Sequence, residues 1–133
     1  MFDKGEYAMT DKELVSIAKT ATEHAYAPYS NFYVGAALAT EDEKVYTGCN
    51  VENASYGATV CAERIAIFKA VSEGERKFSR IAVVSRSGAT AYPCGMCLQV
   101  INEFMPEGEV LVEENGEIVV YPVRDLLPKG FVL

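Results

Sequence analysis

Two short stretches concentrate the residues most able to do chemistry. Residues 59–63 read TVCAE, and residues 93–97 read PCGMC. Cys94 and Cys97 stand at C-x-x-C spacing, which lets two sulfurs reach one metal from a turn that opens a helix. Cys61 lies far upstream, again at the mouth of a helix-like run, RIAIFKAV. The positive end of a helix dipole lowers a thiol's pKa and favours thiolate, the form that binds metal. Three thiolates on Zn2+ would leave a fourth position open for water, as catalytic zinc sites do. Zinc lowers the pKa of such a water to about 7, and a nearby carboxylate can then carry its proton onward.

Glu63 supplies the carboxylate, and its surroundings demand a reason for it. Ile65, Ala66, Ile67, Phe68, Ala70 and Val71 follow, so the helix is hydrophobic nearly all round and predicted to be buried. A buried carboxylate is costly unless something pairs with it or uses it. A plain first-turn acid that complements the helix dipole is one alternative. A capping box is not, because three residues after Thr59 comes Ala62. Cys49, in TGCN, could close a structural site of four cysteines, but that would leave Glu63 unexplained. A redox dithiol usually follows the first strand of a βαβ unit, whereas this C-x-x-C pair comes late.

The whole chain narrows the reading. Its 133 residues suit one domain, 1–133, and half of them are hydrophobic. No run of eighteen apolar residues suggests a membrane span, and MFDKGEYAMTDKEL has no apolar stretch of signal-peptide type. A cytoplasmic protein with free or metal-bound cysteines is expected. The net charge of -7 argues against a dedicated nucleic-acid binder. His24 is the only histidine, amid ATEHAYAPYS, and reads as an exposed residue near a helix end, so a metal must rely on thiolates or carboxylates.

The elements that must position these groups follow from periodicity. Leu14, Ile17, Ala18 and Ala21 have helical spacing within 11–25. AYAPYSNF is a loop, and YVGAALAT and KVYTGCNV are strands around EDEK. VENASYGA is a polar loop leading to Cys61. RIAVVSRSG is a strand, YPCGMC a loop, and CLQVINEFM a second helix. EVLVEENGEIVVYPV forms two antiparallel strands, because Asn115–Gly116 suits a type I′ turn. VRDLLPKGF closes with a helical turn. The order α β β α β α β β suggests a layered α/β sheet with helices on both faces.

C-x-E combined with P-C-x-x-C is the pattern of zinc deaminases, in which the glutamate is acid and base rather than a ligand. YAPYSNFYVGAAL, TGCNVENASYGATVCAERIAIFKAVSEG and PCGMCLQV together resemble the small homotetrameric zinc-dependent cytidine deaminases. The likeness runs from about Tyr26 to Phe131. It implies a three-layer α/β/α sandwich on a mixed five-stranded sheet. It also implies hydrolytic deamination of cytidine and 2′-deoxycytidine, with one Zn2+ per subunit and a zinc-bound hydroxide as nucleophile. Cys61, Cys94 and Cys97 match the zinc ligands, and Glu63 the proton shuttle. Asn50 and Glu52 match residues that hold the ribose 3′-hydroxyl, and Phe32 an aromatic that packs on the pyrimidine. Ala54, Tyr56 and Phe131 match positions that reach a neighbouring subunit's site in a homotetramer. Arg64 and Gln99 are expected to support the sulfurs from outside the ligand set.

Two departures are visible. Many relatives carry arginine where this chain has Leu98, which leaves more of the neutralisation to Arg64. Two residues follow Phe131 in this sequence. A nucleic-acid deaminase on the same core is disfavoured by the acidic charge and the Asn115–Gly116 hairpin. A blasticidin deaminase is disfavoured by the NVENASYG stretch.

Overall fold

The computed structural model of the chain describes residues 8–133. Helix α1 (Asp11–Ala21) opens with a capping box: Thr10 accepts from the Glu13 amide, and Glu13 accepts from the Thr10 amide. Five strands follow the periodicity: β1 (Val34–Thr40), β2 (Val45–Cys49), β3 (Phe78–Ser85), β4 (Glu109–Glu114) and β5 (Glu117–Pro122). Helices α2 (Ala62–Ser72), α3 (Gly95–Phe104) and the short α4 (Val123–Leu126) complete the order.

The strands form one mixed sheet in the order β2-β1-β3-β4-β5. Only β3 and β4 run parallel; the other neighbours are antiparallel. Helix α1 covers one face, where Leu14, Val15 and Ala18 pack on Ala37, Ala39, Ala82, Val84 and Leu111. On the other face Ala66, Ile67 and Ala70 of α2 and Leu98 and Ile101 of α3 pack on Ala36, Leu38, Ile81, Val83, Val110 and Val112. This is the expected three-layer sandwich. Strand β1 is buried throughout, and its alanines leave room for helices on both sides.

The predicted hairpin is present. Asn115 and Gly116 have φ of 52° and 82°, the positive values a type I′ turn needs, and Glu114 pairs with Glu117. Gly48 is required for a different reason. A Cβ there would lie 2.3 Å from the Ala62 carbonyl oxygen, so its absence lets the first turn of α2 rest on β2.

Three boundaries differ from expectation. Helix α1 stops at Ala21, and Thr22–His24 is a 3-10 turn rather than a continuation to Ala25. The Tyr26 amide, which would extend the helix by donating to Thr22, donates to the Asn50 carbonyl at 2.9 Å, and Arg86 takes the Thr22 carbonyl at 2.6 Å. Strand β3 begins at Phe78 and ends at Ser85, before a turn in which Gly88 has φ 89°. Helix α3 starts at Gly95, so Cys94 is its N-cap and Cys97 lies in its first turn. The predicted burial of α2 holds on one side only. Ile65 and Val71 are half-buried and Phe68 is 48% exposed, because only one side of the helix meets the sheet. No helix among the described residues is long and apolar enough to cross a membrane.

Candidate active site and metal centre

Helices α2 and α3 bring their N-termini together on the same face of the sheet. Cys61 is the N-cap of α2 and Cys94 the N-cap of α3. The ligand atoms of Cys61, Cys94 and Cys97 all lie within 4.8 Å of one another, the one such cluster among the described residues. Three sulfurs this close, at two positive helix ends, suit a thiophilic tetrahedral ion such as zinc. Cys49 is not part of the cluster, so the closed four-cysteine alternative has no support. Burial raises its thiol pKa, as expected of an inert cysteine on β2.

The sulfurs share protons unequally. A hydrogen bond from the Cys97 thiol, aided by Arg64 and opposed by burial, holds Cys61 down to about 5. Cys97 is pushed up by that same hydrogen bond and by burial. Arg64 Nη2 donates to Cys61 Sγ at 3.6 Å. The positive charge expected beside the sulfurs is therefore in place, while Leu98 is buried in the core below. Metal binding to such a set must release protons.

Gln99 departs from its expected place. Its Nε2 donates to the Phe131 carbonyl at 2.7 Å, not to a sulfur. Residues two apart on a helix face different sides, so Gln99 cannot share the side of Cys97.

Glu63 is 4% exposed in the first turn of α2. Burial pushes its carboxyl up to about 7; the Cys61 thiolate adds to the rise, and its own amide and the Cys97 thiol oppose it. A carboxyl poised there can both accept and give a proton at neutral pH. Cys61, Cys94 and Glu63 line a cavity of about 260 Å³ together with Phe32, Asn50 and Glu52. Larger hollows, such as one of about 420 Å³ beside Phe78, Phe104 and Met105, contain neither the thiols nor Glu63.

The polar wall is a braced loop. Val51 bridges both Tyr26 and Val60, which threads residues 49–52 between two backbone segments. The Asn50 amide spans the start of β1: Oδ1 accepts from the Val34 amide at 2.9 Å, and Nδ2 donates to the Phe32 carbonyl at 2.8 Å. Asn50 is thus a structural brace as well as a cavity residue. Glu52 accepts from the Tyr29 and Ser30 amides and from the Ser30 hydroxyl. The Ser30 hydroxyl bond leads in holding its pKa below the usual carboxylate range.

Phe32 reaches the cavity and is 39% exposed. The remaining predicted residues stand apart. Tyr56 (77% exposed) lines a neighbouring hollow of about 350 Å³ beside Tyr29, Ser30, Glu52 and Thr59. Ala54 is exposed, as is Phe131, and neither lines the thiol cavity of its own chain. His24 is exposed on the 3-10 turn, as expected. Ser30, Thr59 and Tyr92 line the cavity but carried no signal beyond loop composition.

The described geometry has close counterparts. Residues 8–114 match the family model for the cytidine and deoxycytidylate deaminase zinc-binding region. The chain is 48% identical over 127 residues to a cytidine deaminase of Sporosarcina psychrophila, covering 92% of each. The crystal structure of cytidine deaminase from Burkholderia pseudomallei superposes with a TM-score of 0.87 at 51% identity, over 92% of this chain and 100% of that one. A blasticidin-S deaminase of Bacillus cereus is 35% identical over 126 residues, covering 89% of each chain. By sequence and by fold, this chain belongs to the cytidine and deoxycytidylate deaminase family.

Proposed function

We propose that the protein hydrolyses cytidine and 2′-deoxycytidine to uridine and 2′-deoxyuridine, releasing ammonia. The observation that carries this reading is the buried Glu63 carboxyl sharing one small cavity with Cys61 and Cys94 of the thiol cluster, Phe32, Asn50 and Glu52. Cys61, Cys94 and Cys97 would hold one zinc ion. When bound, zinc supplies a Lewis acid that makes water nucleophilic at neutral pH.

Glu63 moves the protons. It takes one from the attacking water and places it on N3 of the ring as the C4–O bond forms. It then carries the second water proton to the 4-amino group, the C4–N bond breaks, and ammonia leaves. The product keeps a C4 carbonyl and an N3–H, so atoms and protons balance. Phe32 packs on the pyrimidine, and Asn50 and Glu52 engage a sugar hydroxyl, which needs both a donor and an acceptor. Arg64 offsets the thiolate charge.

The protein works as a homotetramer in this reading. Tyr26, Val51, Tyr56, Met96 and Phe131 are large apolar side chains exposed on a single chain, which neighbouring subunits would cover in this reading. Tyr56, Ala54 and Phe131 then serve a neighbour's site. Four free cysteines suit a reducing cytoplasm. The test is ammonia release from cytidine, 2′-deoxycytidine, cytosine, dCMP and blasticidin S. Turnover confined to the two nucleosides is expected; turnover of blasticidin S alone would replace the reading with a drug-inactivating one.

A further inference from the structure

The loop between α1 and β1 holds a serine whose hydroxyl ties two cavity residues together. Ser30 Oγ donates to Glu52 Oε2 and accepts from the Phe32 amide at 3.0 Å. The Tyr29 and Ser30 amides donate to Glu52 Oε1 at 2.9 and 3.1 Å. The turn that aims these donors is closed by the Asn31 amide on the Ala27 carbonyl at 2.9 Å, with Asn31 at φ 56°, a conformation asparagine tolerates. Ser30, Phe32 and Glu52 all line the cavity that contains the thiols and Glu63.

A carboxylate has about four acceptor positions. Protein donors fill both positions on Oε1 and one on Oε2. One acceptor is left, on the oxygen that Ser30 holds. We infer that Ser30 is a positioning residue that fixes the Glu52 carboxylate so that its last acceptor meets the sugar hydroxyl. This rests on the nucleoside reading above, in which Glu52 engages the 3′-hydroxyl. Without the Ser30 hydroxyl, Oε1 keeps its two backbone donors but Oε2 loses the one bond that fixes its direction.

Steady-state kinetics on the zinc-loaded enzyme test this, with Ser30→Ala, Ser30→Thr and Glu52→Gln on cytidine and 3′-deoxycytidine. Ser30→Ala should raise KM for cytidine about tenfold, as for one lost charge-assisted hydrogen bond, with kcat within about twofold. Ser30→Thr keeps the hydroxyl and should restore KM. On 3′-deoxycytidine the Ser30→Ala penalty should shrink to less than about twofold, because the hydroxyl that Glu52 serves is gone. A purely structural serine would cost both nucleosides equally, and that result, or a fall in kcat at unchanged KM, overturns the inference. If Glu52→Gln raises the cytidine KM but Ser30→Ala does not, the Ser30 role alone fails. If Glu52→Gln leaves that KM unchanged, the sugar role of Glu52 fails first. Ser30→Cys, similar in size with a weaker donor, gives the same comparison should Ser30→Ala fold poorly.

Discussion

The side-chain amide of Asn50 is anchored on both of its polar atoms to the backbone at the start of β1, through Val34 N–H and Phe32 C=O. A residue of this kind couples stability to binding. Asn50→Ala leaves the buried Val34 amide without its partner and frees Phe32. Loss of about 2 kcal/mol is expected, because an orphaned buried donor costs about 1–3 kcal/mol. A urea melt measures it, and the cytidine KM should rise in parallel.

Gly48 sets how closely α2 can approach β2. A Cβ at position 48 would meet the Ala62 carbonyl at 2.3 Å and the Ala66 amide at 2.6 Å, both backbone atoms that cannot swing away. Gly48→Ala should therefore destabilise by about 1–3 kcal/mol or more, as overpacked cores do. It should also loosen zinc, since Cys61 caps that helix. Denaturation midpoint and zinc content of the purified variant check both effects.

Arg64 is the cation that contacts the sulfur cluster. Arg64→Gln should weaken zinc binding about 10–100-fold, the usual cost of losing a group that supports metal ligands. Competition with a chromogenic chelator reads this directly. Unchanged affinity would mean that the helix dipoles alone offset the thiolates.

Alkaline pH should weaken a part-buried hydrogen bond outside the sulfur cluster. Tyr46 donates to Glu75 at 2.9 Å, and that carboxylate pushes the phenol up to about 12 from an ordinary 10. The folded state thus holds this proton more tightly than the unfolded chain. Its stabilisation is complete below pH 10 and is lost as pH rises through 12. Urea midpoints between about pH 9 and 12 should fall less steeply for Tyr46→Phe than for the wild type.

What the sequence reveals depends on the range of the interaction. Asn115–Gly116 carries its own turn chemistry, so the β4–β5 hairpin is legible from two residues. C-x-x-C at a helix start, and an acid in an apolar helix, likewise announce Cys94, Cys97 and Glu63 locally. Cys61, at a second helix start, reads as their partner in the same way, and the family resemblance implies the sugar role of Asn50 and Glu52. It does not show that Asn50 braces Phe32 and Val34, or that Ser30 grips Glu52, because those bonds join segments far apart in sequence. The end of α1 escapes periodicity for the same reason: Tyr26 and Arg86 draw the chain away through tertiary hydrogen bonds that helical spacing cannot register. Gln99 is misassigned on geometry that its two-residue spacing from Cys97 already contains.

The most direct test is Glu63→Gln, assayed for ammonia release from cytidine with zinc quantified on the same preparation. The substitution keeps shape and removes the ionisable carboxyl. Turnover should drop on the order of 10²–10⁴-fold, the usual contribution of a positioned acid–base group, while one zinc per chain stays bound and the melting curve is unchanged or improved. Near-normal turnover with zinc in place would contradict the assignment of proton transfer to Glu63.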